Sequence, residues 1–389
     1  MKLFWRPSKV SSMLLVLVAL ASVGGYIVVE SYRVSQQRPY HRSKVRAARL
    51  TQKAFAVIKK TRASLRIPID EFTDPNESGL IGKAVSQITS KSGQLPAKQS
   101  TLNPNWSAVF VDLFRKSGLR KGDTVALGLS GSFPALNIAA LAACKTMELN
   151  PLIISSVSAS MFGANHRKLT WLDMEKSLRD AGLWDYKSLG ASYGGIQDIG
   201  HGISRKGLKQ IKHAIQRNGV TELTGGKCDA HSQENPCLTV MIEKRIETYK
   251  GATEGAPIRA YINVGGGIAS VGSLLDKKRF RSGINTGVPG ETLGLDGVMH
   301  FFLHKNIPVI HISRIKKLAA RYDLPWLPPS MPKPGFGGVF YGESYADWLV
   351  WSVLFGIVLA LFAITRIDIS FIFRRVFSPR KGPSSGPGV

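Results

Sequence analysis

The run Asp123-Thr-Val-Ala-Leu-Gly-Leu-Ser-Gly-Ser-Phe-Pro-Ala-Leu-Asn137 decides the fold. Val125, Ala126, Leu127 and Leu129 make an apolar stretch broken only by a glycine, the pattern of a strand covered on both faces. Ser130-Gly131-Ser132 supplies a tight turn, and Pro134 suits a helix's first turn, where its missing N–H costs nothing. A buried strand passing through a Ser/Gly turn into a helix is a building unit of α/β sheets. Free amide donors and the helix dipole at such a turn attract anions, so Ser130, Gly131 and Ser132, with Asn137 just beyond, read as a site for a carboxylate, a phosphate or a developing oxyanion.

The same alternation continues on both sides. Helices are expected over 106–117, 134–148, 169–181, 204–218, 238–250, 297–305 and 313–322, and strands over 151–157, 258–264 and 308–312. The strand at 258–264 runs into Gly265-Gly266-Gly267, a second strand-to-glycine junction. This order predicts an α/β domain with a mostly parallel sheet covered by helices, Rossmann-like, with right-handed crossovers. In such sheets ligands settle beyond the carboxyl ends of the strands, so the Ser130 and Gly265 junctions face one crevice if they are adjacent. The plainer reading of each is a turn that packing requires.

Two apolar runs flank this domain. Residues 11–29 follow Lys2, Arg6 and Lys9, the plan of a signal anchor, although Ala19-Leu20-Ala21 also resembles a cleavage site. Residues 348–365 carry no charge and place Trp348 and Trp351 where interfacial aromatics lie. Both runs are expected to be transmembrane helices. The division is then a cytoplasmic N-terminus at 1–10, a span at 11–29, a basic helix and loop region at 30–104, the α/β domain at 105–324, a Pro/Gly connector at 325–347, a span at 348–365 and a basic tail at 366–389. Glu343 and Asp347 precede the second span while Arg366, Arg374, Arg375, Arg380 and Lys381 follow it. The positive-inside rule thus puts both termini in the cytoplasm and the central domain outside a two-pass membrane protein, although the arginines after the first span argue the other way.

The net charge of +26 over 389 residues suits an anionic partner: lipid, nucleic acid or an acidic polymer. Much of the excess lies beside the spans, where lipid headgroups account for it. Zinc-finger spacing and an aromatic single-strand platform are absent from the sequence, which argues against nucleic acid. Gly265-Gly266-Gly267 lacks the dinucleotide glycine spacing and neither junction has a phosphate-loop lysine, which argues against a nucleotide; no cofactor is expected. Cys228 and Cys237 enclose a polar loop that a disulfide could close, with two free thiols or a metal held with His231 as alternatives. His300 and His304 stand one helical turn apart but lack a third ligand, so no metal is expected.

Gly128-Leu-Ser-Gly-Ser132 approaches the G-x-S-x-G elbow that exposes a nucleophilic serine, with serine in place of the last glycine. A serine nucleophile needs a base and an orienting group; Asp198 and His201 are the first candidates and His311 another. After the strand at 151–157, Asn165, His166 and Arg167 could hold a carboxylate, while Thr170 reads as a helix cap. Asn263 joins Gly265, Gly266 and Gly267 as a candidate ligand contact.

The segments Asp74-Pro-Asn-Glu-Ser-Gly-Leu-Ile-Gly82, Asn103-Pro-Asn105, Leu129-Ser-Gly-Ser-Phe-Pro-Ala-Leu-Asn137, Thr170-Trp-Leu-Asp-Met-Glu175 and Asn263-Val-Gly-Gly-Gly267 resemble the poly-γ-glutamate system protein family. The resemblance implies a membrane protein of the synthesis and export machinery of that capsule-type polymer, with no established reaction. Two functions follow as expectations. One is an accessory protein that binds poly-γ-glutamate, or the synthase and export subunits, at the cell envelope. The other is a serine hydrolase or transpeptidase acting on the γ-glutamyl polymer through Ser130, with Asp198 and His201. A scaffold that only docks synthase subunits is a third.

Overall fold

The computed structural model describes residues 12–226, 236–265, 267–273, 278–290 and 294–366. They fall into two compact units, one made of the two chain ends (Met1–Gln36 and Gly342–Val389) and one of Gln37–Tyr341.

The terminal unit holds the helices Ser12–Ser31 and Asp347–Arg366. Both are long and apolar enough to cross a bilayer, and none of either apolar window is buried within the protein. The two helices pack on each other: a Cβ at Gly25 would lie 2.5 Å from Val353 Cγ1, so the absent side chain lets them approach.

The central unit is built on a seven-stranded sheet. Its strands are β1 (Thr124–Ser130), β2 (Asn150–Ser156), β3 (Ser188–Ser192), β4 (Thr221–Glu222), β5 (Ile258–Val264), β6 (Gly283–Asn285) and β7 (Val309–Ile312), in the spatial order β6-β7-β5-β1-β2-β3-β4. All neighbours are parallel except β6, which runs antiparallel to β7. The helices are α1 (His41–Ser64), α2 (Leu95–Ser100), α3 (Trp106–Lys116), α4 (Pro134–Met147), α5 (Trp171–Asp180), α6 (Arg205–Arg217), α7 (Pro236–Gly251), α8 (Ile268–Val271), α9 (Val298–His304) and α10 (Ile315–Arg321).

The strand periodicity of two sorts side chains between two cores. Val125, Leu127, Leu129, Ile153, Ile262 and Ile310 join the core that α1, α3, α4, α5 and α6 cover. Ala126, Ile154, Tyr261 and Val309 join the opposite core, closed by α7, α8 and α9. From β1 the chain steps outward through β2, β3 and β4, then returns to place β5 on β1's other edge. The strand order therefore reverses between β1 and β5, where the loops at the carboxyl ends diverge and leave a crevice.

Three strands of this sheet escape the sequence reading: Ser188–Ser192, Thr221–Glu222 and Gly283–Asn285. None has a β-branched run; β3 is Ser-Leu-Gly-Ala-Ser, held in the sheet by burial and hydroxyl bonds rather than by propensity. The basic helix, set apart at 30–104 in the sequence reading, is part of the compact unit. Ala47, Ala48, Ala54 and Ile58 of α1 lie in the main core, and buried Lys44 donates to Asp112 of α3 at 2.9 Å. Asp112 keeps Lys116 and Tyr322 as further partners. Lys44→Ala is therefore expected to cost about 2–4 kcal/mol, less than a buried pair with no other partner, read as a lower urea midpoint of the detergent-solubilised protein.

Candidate functional site

The reversal point brings both glycine junctions together. Parallel register sets Asn263 of β5 beside Gly128 of β1, and Ser130, Ser156 and Ser192 abreast on β1, β2 and β3. Ser130, Asn263 and Gly267 line one crevice with Ser156, Asp198 and Arg245. Its open space is about 10 Å³, room for one water molecule. Gly265 has φ +94°, which a side chain would strain, whereas a Cβ at Gly267 would meet nothing within 4 Å. Gly266 lies outside the described residues.

The turn after β1 is closed on itself. The Gly131 amide donates to the Ser156 carbonyl (3.0 Å), the Ser132 amide to Ser130 Oγ (3.1 Å) and the Phe133 amide to the Ser130 carbonyl (3.3 Å). Asn137 is buried and donates from Nδ2 to the same Ser130 carbonyl at 3.0 Å, pinning the start of α4 to the strand end. The free amide donors that the sequence reading places around Ser130, Gly131 and Ser132 are thus already engaged. An anion there would have to displace bonds of the fold itself, which corrects that expectation. Lys98 of α2 braces the turn: its amine donates to the Ser132 carbonyl and to Ser160 Oγ (2.9 Å) and lies 3.6 Å from the Phe133 ring centroid. Burial pushes the Lys98 amine down to about 7, with Lys91 adding repulsion.

The carboxylate of Asp198 has a different partner from the imidazole expected for a catalytic triad. Its Oδ2 accepts from Arg245 Nε at 2.8 Å, and its Oδ1 from the hydroxyls of Ser192 (2.8 Å) and Ser156 (3.2 Å). Arg245 Nη2 donates to the same two hydroxyls at 2.7 and 2.9 Å. Arginine and aspartate are each about 97% buried as side chains. Burial works to lower the Arg245 pKa, but Asp198 outweighs it and the guanidinium ends above its ordinary value. Asp198 and its neighbour Gln197 both hold positive φ (63° and 52°), a conformation costly for non-glycine residues that the ion pair helps to fix. His201 follows on the same loop, where its carbonyl accepts from the Ile196 amide. Asp198 is committed to Arg245, Ser192 and Ser156, so it is not placed to orient His201 in a Ser130–His201–Asp198 relay.

Most of the remaining predicted residues are bonded within the fold. Asn263 Nδ2 lies 3.0 Å from His311 Nδ1, and both side chains are buried. Asn165 clamps the segment at 83–89: its Oδ1 accepts from the Lys83 amide (2.8 Å), and its Nδ2 donates to the Lys83 carbonyl (2.7 Å) and Thr89 Oγ1 (3.0 Å). It has no bonding capacity left over for a carboxylate in this arrangement. His166 lies apart from the crevice, on another pocket's wall. Thr170 caps α5 as expected, its amide and hydroxyl both bonded to Asp173. Cys237 is disulfide-bonded, while Cys228 and His231 lie outside the described residues. Among the described residues no cluster of three or more His, Cys, Asp or Glu side chains could hold a metal ion.

A second concave feature is strongly cationic. Arg42, Arg46, Arg49 and Lys53 follow one another along α1 and, with Lys145 and Glu148 at the end of α4, line an open groove of about 720 Å³. Positions i, i+4, i+7 and i+11 lie on one helical stripe about 16 Å long. Glu148, its only acidic lining residue, is paired with Lys121 at 2.6 Å. The sequence shows α1 as cationic, but not that α4 completes the groove. Arg245 was missed too, although one signal exists: it continues the apolar stripe Leu238, Met241, Ile242 of α7, where an unpaired charge would be costly.

No family model matches the chain, nor does any curated protein or solved structure.

Two outcomes test this geometry. Asp198→Ala leaves a buried guanidinium uncompensated and is expected to cost about 3–5 kcal/mol, whereas Asp198→Ala with Arg245→Met should cost clearly less than the two single changes summed, in urea melts. Lys98 has a folded pKa near 7 against an ordinary value of 10.5, so the unfolded chain binds the extra proton between them. Its contribution to stability therefore increases as pH rises from about 7 toward 10.5, and that increase should be missing from Lys98→Met when the two melts are compared.

Proposed function

We propose that this chain is a membrane-tethered accessory protein that binds an extended polyanion, poly-γ-glutamate, during its synthesis or export, and that it does so through the cationic groove along α1. The observation that carries this reading is the groove itself: Arg42, Arg46, Arg49, Lys53 and Lys145 converge there, and its one carboxylate is already neutralised by Lys121. Concavity favours a chain lying lengthwise over a flat lipid surface. A row of carboxylates can meet successive cations of the stripe, each pair adding a modest increment. Charge of this kind raises the local concentration of a polyanion and speeds its capture, with little demand on sequence.

The crevice between β1 and β5 supports binding or structure better than hydrolysis, because the turn donors and the Asp198 carboxylate are occupied within the fold. The strand order, reversing at β1 and β5, supports a Rossmann-like assignment of the domain. The apolar helices support a two-pass protein of the cell membrane, and the charge asymmetry about the second span favours an extracytoplasmic central domain. Synthase or export subunits are the natural partners of a protein placed in this way.

Reversing Arg42, Arg46, Arg49 and Lys53 to glutamate should weaken retention of the full detergent-solubilised chain on immobilised poly-γ-glutamate by about tenfold or more at low salt, taking each exposed pair at about 0.2–1 kcal/mol. Wild-type retention should also fall steeply as salt is raised. Equal retention of wild type and variant, or none by the wild type at low ionic strength, would overturn the reading.

A further inference from the structure

Past the cationic stripe, at the carboxyl end of α1 where Arg62 sits, a pocket of about 320 Å³ is enclosed between the segments at 67–84 and 163–169. Volumes of this size accommodate small ligands. Its floor exists because Gly82 lies against Gly163, where a Cβ would collide with the Gly163 carbonyl. Much of the wall is aliphatic, with Ile67, Leu80, Ile81 and Leu169 buried beneath it. Its polar groups are mainly donors: Arg62, Lys83 and His166 all line the cavity.

Arg62 is the unusual member. It is 8% exposed, and its guanidinium donates to the carbonyls of Gly79 (3.1 Å), Ile81 (2.5 Å) and Pro68 (2.7 Å), all neutral acceptors. Its Nε has no hydrogen-bond partner. The nearest compensating charge acts at a distance, from Asp74, whose carboxylate is occupied by Ser78 and Gly79. Burial accordingly lowers the Arg62 pKa. This cation is solvated by dipoles and lacks the close counter-charge that Arg245 and Lys44 possess.

His166 is already set as a neutral donor. Its Nδ1 accepts from the Lys168 amide at 3.2 Å, which leaves the proton on Nε2. Burial, then Lys83, Arg62, Arg167 and Lys168, push its pKa down to about 4. Four cations bearing on one imidazole describe a region of positive potential, and Asp70 is the pocket's only acidic lining residue.

We propose that this pocket binds a small organic dianion, a dicarboxylate of about glutarate size, with Lys83 and His166 meeting one carboxylate, Arg62 supplying the field behind them, the aliphatic wall taking the stem and the second carboxylate left at the solvent-facing mouth. An ion pair formed partly out of water gains from weaker screening, and the stem gains from burial. The site is independent of the α1 groove and stands whether or not that groove holds a polymer.

Glutarate and its uncharged isostere glutaramide separate this proposal from nonspecific binding. Saturation-transfer NMR on the full detergent-solubilised chain should show saturable glutarate binding, little from glutaramide, and a shift of the His166 ring resonances. Lys83→Ala, at an exposed position, is expected to weaken glutarate by up to about fivefold, the loss of one exposed ion pair. Ala84→Trp, also at an exposed lining position, fills the pocket and should abolish binding while leaving polymer retention on the α1 groove intact. Equal signals from glutarate and glutaramide, or undiminished binding in either variant, would overturn the proposal. Charge reversal of the α1 stripe should leave glutarate binding unchanged, so failure of one site does not imply failure of the other.

Discussion

A guanidinium removed from water must find its counter-charge, and Arg245 finds it in Asp198. The pair joins α7 to the loop after β3, while Ser156 and Ser192 of β2 and β3 bond to both partners. Four pieces of chain are thereby locked at the carboxyl end of the sheet. The lock also explains the backbone: Gln197 and Asp198 hold left-handed conformations that only a firmly fixed loop sustains. With it in place the crevice beside Ser130 is nearly full. The place where an α/β sheet most often accommodates a ligand is here largely occupied by the protein's own ion pair.

The same physics separates two uses of positive charge in this chain. Buried basic side chains act as internal struts: Lys44 ties α1 to α3, Lys98 braces the turn after β1, and Arg62 gathers three carbonyls around the segment at 68–81. Exposed cations make surfaces, and on α1 they are stacked along one stripe that α4 turns into a groove. A net charge of +26 therefore describes neither a uniformly sticky protein nor a single site. It divides into charges that hold the fold and charges that can meet an anion.

Much of the architecture was legible because apolar periodicity and glycine punctuation record local constraints. β1, β2, β5 and β7 are apolar runs ending near turn residues. β3 was not legible, since Ser-Leu-Gly-Ala-Ser owes its strand to neighbours on both edges and to hydroxyl bonds across the sheet. The candidate site was legible in position only. Sequence put the Ser130 and Gly265 junctions at one crevice on the condition that their strands are neighbours, and β1 and β5 meet that condition. It misjudged their chemistry, because whether an amide or a carboxylate is free depends on partners such as Ser156 and Arg245 that lie far along the chain. The α1 groove shows the same limit: its charges are visible in sequence, whereas its concavity depends on packing against α4.

The central claim is that an extended polyanion is held on α1 while the crevice at the strand ends stays closed. Hydrogen exchange of the full detergent-solubilised chain, with and without poly-γ-glutamate at low salt, tests it most directly. The account predicts added protection in the groove segments around 42–53 and 145–148, with none at 130–133 or 194–202. Protection confined to the Ser130 turn and the Asp198 loop, with α1 unchanged, would contradict it.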